Sequence, residues 1–416
     1  MRQIHRRELA NGLRMAVVPI EGLRSVAALL AIRAGQWFEP DGRPGVARLT
    51  AKTLLRGTVD RDVNAWSDAI DALGASARLD VGSHAAVFSG QCLGDDLGAF
   101  LSLVAETVAR PALAAEGLEF VRAQTIADLE ESAKDTRSVA DRAWRELAYP
   151  GGHPFHTRTI GNEQVIGDAT LAEIVDFQRT AIRPNGSVLV LAGALEPERA
   201  FDAAEHAFSD WTRGPAHDRA ARPVALTTAL RRNVMVADKT QSDVVLGWLG
   251  LPRTDPRFTA AQVTNMVFAA DTFASRAGHV VRDELGLAYY VFSTLSGTLT
   301  QGPWVVRMGV NPENVERAIA ETMSELGKIR AGDIADDDLA LARDKLVGEL
   351  EVGQESPSGV AAMVLEAELF DLGDDHFDRY TRELRAVTKD EVVATATEFL
   401  SLDRYALAVA GPASAP

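Results

Sequence analysis

The chain has a single cysteine, Cys92. One thiol closes no internal disulfide, so nothing points to an oxidising compartment. Among apolar and small neighbours, Cys92 is expected to be a small buried hydrophobe. Cations are also short: 43 Lys and Arg against 59 Asp and Glu give a net charge of −16. That balance argues against a nucleic-acid surface, which needs clustered cations, and against anchoring on anionic lipid. No apolar run reaches the ~18 residues that a membrane span needs. Met1–Ala10 is charged and has no apolar core, so it does not read as a signal peptide. A cytoplasmic location is the expectation. No glycine-rich loop followed by Lys-Ser or Lys-Thr is present to cradle phosphate.

What is present is globular and long. Hydrophobic residues make up 46% of 416 positions, more than one ordinary core holds. Asn11-Gly12 between Leu9 and Leu13 is a hairpin signal. Met15–Pro19 and Val26–Arg33 read as strands, the second nearly all apolar, as in a buried central strand. Val63–Leu73 and Leu97–Ala109 read as helices, with strands at Ala75–Leu79 and His84–Cys92 between them. Ala115–Leu147 reads as one long helical region, Leu171–Thr180 as a helix and Ser187–Gly193 as a buried strand. Thr212–Val224, rich in Arg, Ala and Pro, reads as an exposed linker.

The second half repeats the first. At a shift of 221, Leu118, Arg122, Leu129, Glu130, Val139 and Ala140 fall on Leu339, Arg343, Leu350, Glu351, Val360 and Ala361. At a shift of 218, Glu173-Ile174-Val175 falls on Glu391-Val392-Val393, and Ala192-Gly193 on Ala410-Gly411. So wide a repeat is a duplicated domain and not a solenoid. Strands and helices in blocks favour an α+β class. The expected domains are 1–211 and 225–416, joined by 212–224.

One stretch organises the rest. In Gly45–Thr58, Val46, Leu49, Thr50, Thr53 and Leu54 recur at helical spacing between Pro44 and Gly57. Arg48 and Lys52 share a face, with Ala51 beside them. This frame resembles the metal-binding helix of the pitrilysin and mitochondrial processing peptidase family. There a His-x-x-Glu-His pattern binds zinc and activates water. The order Leu-x-Asn-Gly-Leu, strand, Gly, Glu-Pro and helix also matches the opening of that family. The resemblance implies two homologous domains, each a mostly antiparallel sheet with helices packed on one face. It also implies a lost metal site, because Arg48, Ala51 and Lys52 stand at the motif positions. Arg has no lone pair to give, Lys would have to lose a proton, and Ala cannot act as a base. The family's third ligand falls near Asp128, 76 positions after Lys52, with Glu130 and Glu131 close by. Arg48 and Lys52 read either as solvated surface charges or as replacements for the metal's charge against those acids.

A second block, Phe273-Ala274-Ser275-Arg276 and then Arg282-Asp283-Glu284-Leu285-Gly286-Leu287-Ala288-Tyr289, resembles the family's Ser-Arg and Arg-Glu-x-x-Gly-Leu-Ala-Tyr segment. In two-subunit bacterial members, the chain without zinc keeps an Arg and a Tyr that hold substrate over the partner's zinc. The resemblance puts those roles on Arg282 and Tyr289, seven residues apart. Against the family, Phe268-Ala269-Ala270-Asp271-Thr272 replaces a glycine-rich stretch. His153 and His156 form a His-x-x-His pair, but Pro154 between them breaks a helical ligand face.

The expectation is a non-catalytic, substrate-binding subunit of a heteromeric zinc metalloendopeptidase acting on peptides or unfolded segments. Its own chain would hold no cofactor, with zinc in a related partner subunit; self-association is also open. The rivals are a purely structural core-type subunit and an independent metallopeptidase with a relocated site.

Overall fold

The computed structural model describes residues 3–214, 220 and 222–412. Part of the expected linker, 215–219 and 221, lies outside the described residues. The chain forms two units. The first takes the segments Met1–Leu129, Arg158–Ala220 and Val352–Gly373; the second takes Glu130–Thr157, Ala221–Glu351 and Asp374–Pro416.

The first unit holds a six-stranded sheet. Its strands are β1 His5–Glu8, β2 Arg14–Pro19, β3 Ser25–Ile32, β4 Ser76–Val81, β5 Ala86–Leu93 and β6 Val188–Gly193. They lie in the order β1-β2-β6-β3-β5-β4, and only the β2–β6 pair is parallel. The second unit holds β7 Leu230–Met235, β8 Ser242–Leu249, β9 Ala288–Leu295, β10 Pro303–Val310 and β11 Ala406–Gly411. Their order is β7-β11-β8-β10-β9, again with one parallel pair, β7–β11. Strand for strand the two sheets follow one plan, with β1 added to the first. Each is mostly antiparallel, and the class is α+β.

β6 and β11 are buried at every position, as apolar central strands are when both faces are covered. On one face of the first sheet, Val26, Ala28, Leu30 and Ile32 pack with the helices Val46–Leu54, Leu97–Ala109 and Leu171–Ala181. In the second sheet, Val244, Leu246, Trp248, Val306 and Met308 pack with the helices Phe258–Phe268, Val315–Arg330 and Lys389–Phe399. These helices form the layer expected on one face of each sheet. Cys92 sits buried on β5, where burial first, and Asp96 second, push its thiol up to about 12.

The opposite faces are covered by two exchanged helices. Ala27, Ala31, Val188 and Val190 lie under Pro357–Phe370, from the carboxy-terminal half. Val245, Val305, Ala406 and Ala408 lie under Thr136–Ala148, from the amino-terminal half. The indole of Trp144 rests on Gly247, where an added Cβ would come within 3.0 Å of the ring. Trp144 Nε1 donates to the Ala406 carbonyl at 3.1 Å. A cut at 212–224 therefore separates the two sheets but not the two units. The expected long helix 115–147 is two helices, Ala115–Ser132 and Thr136–Ala148. Asp135 caps the second by accepting from the Ser138 amide at 2.8 Å.

The repeat reaches single hydrogen bonds. Arg122 donates to the carbonyls of Ile166 and Gly167 at 2.6 Å and Ala169 at 2.7 Å. Arg343 donates to the Val387 carbonyl. Ala169 and Val387 each precede a threonine, Thr170 and Thr388, that caps the next helix.

Candidate functional site

The helix Val46–Leu54 is fixed at its start. Gly45 is left-handed, with φ of 97°, and an added Cβ would come within 2.8 Å of the Gly161 backbone. The buried carboxylate of Glu39 accepts from the amides of Gly45 at 2.8 Å and Ala47 at 3.0 Å. Negative charge at a helix N-terminus is stabilising, which gives the Glu-Pro pair a physical role. Val46, Leu49 and Leu54 bury one side of the helix. Arg48 and Lys52 are half-buried, and Ala51 is 1% exposed.

Arg48 Nη2 lies 3.9 Å from Asp128 Oδ2, an ion pair without a hydrogen bond. The buried Arg48 Nε has no hydrogen-bond partner. Lys52 turns elsewhere, to β4. Its Nζ lies 3.4 Å from the Leu79 carbonyl and 3.9 Å from Asp80. Asp80 is held more closely by Arg78. The position of Asp128 follows the family spacing; the contact with Asp80 had no signal in the sequence.

These residues do not fit zinc. A metal needs lone pairs at positions 48 and 52, and the structure places a guanidinium and an ammonium there. Among the described residues, no group of three or more His, Cys, Asp and Glu could hold a metal ion. The His153 and His156 pair shapes a loop. His153 Nδ1 accepts from the Phe155 amide at 3.1 Å, and its ring stacks on Tyr149 at 4.7 Å. His156 Nδ1 meets the Tyr149 carbonyl at 2.8 Å.

In the second unit, Gly278–Glu284 winds as a π-helix. That form is rare and recurs at functional sites. Arg282 sits on it. Its Nε donates to the Tyr289 carbonyl at 3.2 Å, and its Nη1 pairs with Asp283 at 2.5 Å. The guanidinium lies 4.6 Å over the ring of Phe273. The Tyr289 side chain stands out from β9, 61% exposed, and its hydroxyl donates to Asn311 Oδ1 at 3.0 Å. Next to it, Tyr290 points to the other side of the strand and bonds the buried Asp243. Burial, and then Asp243, raise the Tyr290 hydroxyl above its ordinary range.

The segment that replaces the family's glycines is tied down. Ala269 accepts through its carbonyl from the Ser293 amide at 2.6 Å. Asp271 accepts from the amides of Phe273 at 2.8 Å and Ala274 at 2.9 Å, and pairs with Lys345 at 2.5 Å. This turn leaves Phe273 72% exposed. Arg276 is committed to the fold by the buried Glu325, 3.0 Å away. Arg282 and Tyr289 are thus brought together, while Phe273 and Asn311 join them without having been singled out by spacing.

Known proteins align with this chain along most of its length. Residues 14–153 match the model described as insulinase, peptidase family M16, and residues 168–346 match the peptidase M16 inactive domain. An uncharacterized zinc protease of Streptomyces coelicolor is 25% identical over 417 residues, covering 98% of this chain and 90% of that protein. A probable mitochondrial-processing peptidase subunit beta of Arabidopsis thaliana is 20% identical over 365 residues, covering 85% of this chain and 68% of that one. The crystal structure of a peptidase M16 inactive domain from Pseudomonas fluorescens shares the fold. It is 23% identical with a TM-score of 0.93, covering 99% of this chain and 98% of that one. Repeat, sheet plan and both family models agree: the chain belongs to the M16 peptidase family, as a member of the zinc-less type.

Proposed function

We propose that this chain is the non-catalytic, substrate-binding subunit of a two-chain zinc metalloendopeptidase that acts on peptides or unfolded segments. One observation carries the proposal: Arg282 and Tyr289 are held together on a π-helix and an adjoining strand, the first partly and the second largely exposed. A partly exposed guanidinium can donate to a carbonyl of an extended peptide, and the phenol oxygen, whose proton goes to Asn311, can accept from a peptide amide. Holding the peptide in place lowers the barrier for chemistry carried out elsewhere. The zinc belongs to a related subunit, since positions 48, 51 and 52 of this chain offer no ligand. The pair works in the cytoplasm. No helix among the described residues is long and apolar enough to cross a membrane. A purely structural subunit has no use for a partly exposed Arg on a π-helix beside an exposed Tyr on the next strand.

The test is to purify the chain with a related subunit that keeps His-x-x-Glu-His, and to follow peptide cleavage. Arg282→Ala and Tyr289→Phe together lower turnover by about 10- to 100-fold, the scale of lost positioning. The melting temperature and assembly of the pair stay as in the wild type. Unchanged turnover in the double variant refutes a substrate role.

A further inference from the structure

We infer that Phe273 forms an apolar subsite beside Arg282, so that the favoured peptides carry a large apolar side chain next to the carbonyl that Arg282 holds. This deepens the proposed function and rests on it.

Three observations point the same way. First, Phe273 is 72% exposed, in a chain that buries most of its large apolar side chains. A single exposed ring needs no explanation by itself. This ring, however, sits on a turn where the amides of Phe273 and Ala274 both donate to Asp271, which is in turn fixed by Lys345. Second, the ring lies under the Arg282 guanidinium at 4.6 Å. Cation–π contact fixes the guanidinium plane. Third, the hydrogen bonds of Arg282 are partly spent: Nε serves the Tyr289 carbonyl and Nη1 serves Asp283, while Nη2 has no hydrogen-bond partner among the described residues. The result is an oriented N–H donor on a guanidinium that lies over the exposed Phe273 ring and is tied to the backbone of exposed Tyr289.

An extended peptide presents a carbonyl and a side chain within one residue. The carbonyl suits Nη2, and a large apolar side chain covers the Phe273 ring. An acidic side chain gains from Arg282 but nothing from the ring. A small or polar side chain leaves the ring wet.

The test measures binding of fluorescein-labelled peptides to the full-length chain by anisotropy. The peptides share a Gly/Ser background and carry Phe, Leu, Ala or Glu at one position. The wild type binds the Phe and Leu peptides most tightly. Phe273→Ala weakens those two by about tenfold, equivalent to ~1.4 kcal/mol, and changes the Ala and Glu peptides little. Phe273→Leu, which keeps an apolar surface, retains most of the preference. Equal losses for all four peptides in Phe273→Ala would reduce the residue to a prop for Arg282 and overturn the subsite. So would a wild type that binds all four alike. The underlying function fails by a different result: no binding of any peptide, or binding unmoved by Arg282→Ala with Tyr289→Phe. A thermal melt of each variant separates these losses from unfolding.

Discussion

The guanidinium of Arg48 stands 3.9 Å from the carboxylate of Asp128, close enough to attract and too far to hydrogen-bond. A half-exposed pair of this kind contributes little, about 0–1 kcal/mol. A double-mutant cycle on Arg48→Ala and Asp128→Ala is expected to give a coupling within that range. Raising the salt concentration should shrink it. A coupling of several kcal/mol would mean a direct bond that this geometry does not provide.

The same helix makes restoration of the catalytic motif costly. Ala51 stands where the family's Glu would be, and it is 1% exposed. Ala51→Glu puts a larger, charged side chain into packed space, at about 1–3 kcal/mol from overpacking and more from desolvation. Denaturant melts should show the loss, whereas Lys52→His, at a half-exposed position, should change stability little. Elemental analysis of the purified wild type should find well under one zinc per chain, unaffected by His153→Ala or His156→Ala.

The paired arginines of the repeat should not be equal. Arg122 satisfies three carbonyls and Arg343 satisfies one. Ile166 and Ala169 are buried and Gly167 is exposed, and a buried carbonyl left unsatisfied costs about 1–3 kcal/mol. Arg122→Ala is therefore expected to destabilise more than Arg343→Ala in urea melts. The reverse order would mean that the carbonyls near Ile166 find water on truncation.

Acid should reach Asp141 late. Burial pushes its carboxyl up, but Arg145 and Arg307 outweigh burial and hold it at about 2. Arg307 Nη2 bonds its Oδ1 at 2.5 Å, and Arg145 Nε bonds its Oδ2 at 2.9 Å. The folded value is depressed below the ordinary ~3.9 of Asp, so this stabilisation, about 2 kcal/mol, is complete above pH ~4. It fades as the pH falls toward 2. Arg307→Met should move the acid-unfolding midpoint to higher pH and leave the profile above pH ~5 parallel to the wild type. An unmoved acid limb would show that Arg145 alone suffices.

The sequence made some of this visible for plain reasons. β3 and β6 are unbroken apolar runs, and the helix Val46–Leu54 has an apolar stripe between a glycine and a closing Gly-Thr. The repeat showed in Arg122 and Arg343 because both donate to backbone carbonyls. Other features left no local trace. β1 is His-Arg-Arg-Glu, with no apolar residue to alternate. Val139 and Ala140 show that their helix has a buried side, but an apolar side does not name the sheet it will cover. One capping residue, Asp135, marks where the exchange begins. Phe273 read as one more apolar residue, because exposure depends on a turn held by Asp271 and Lys345, and Lys345 is distant in sequence.

The exchange of helices has a consequence for how the protein is made. The strands of the first sheet have all been synthesised by Gly193, yet one face stays bare until Pro357–Phe370 emerges. Meanwhile Thr136–Ala148 waits for strands that end at Gly411. Neither half can finish folding on the ribosome ahead of the other. A break in the gene near 212–224 would yield two incomplete fragments, each with a wet sheet face and a helix of no use to itself. Those fragments should recover structure only when mixed. An ancestor with two self-sufficient copies is divisible; this chain ties its halves to each other.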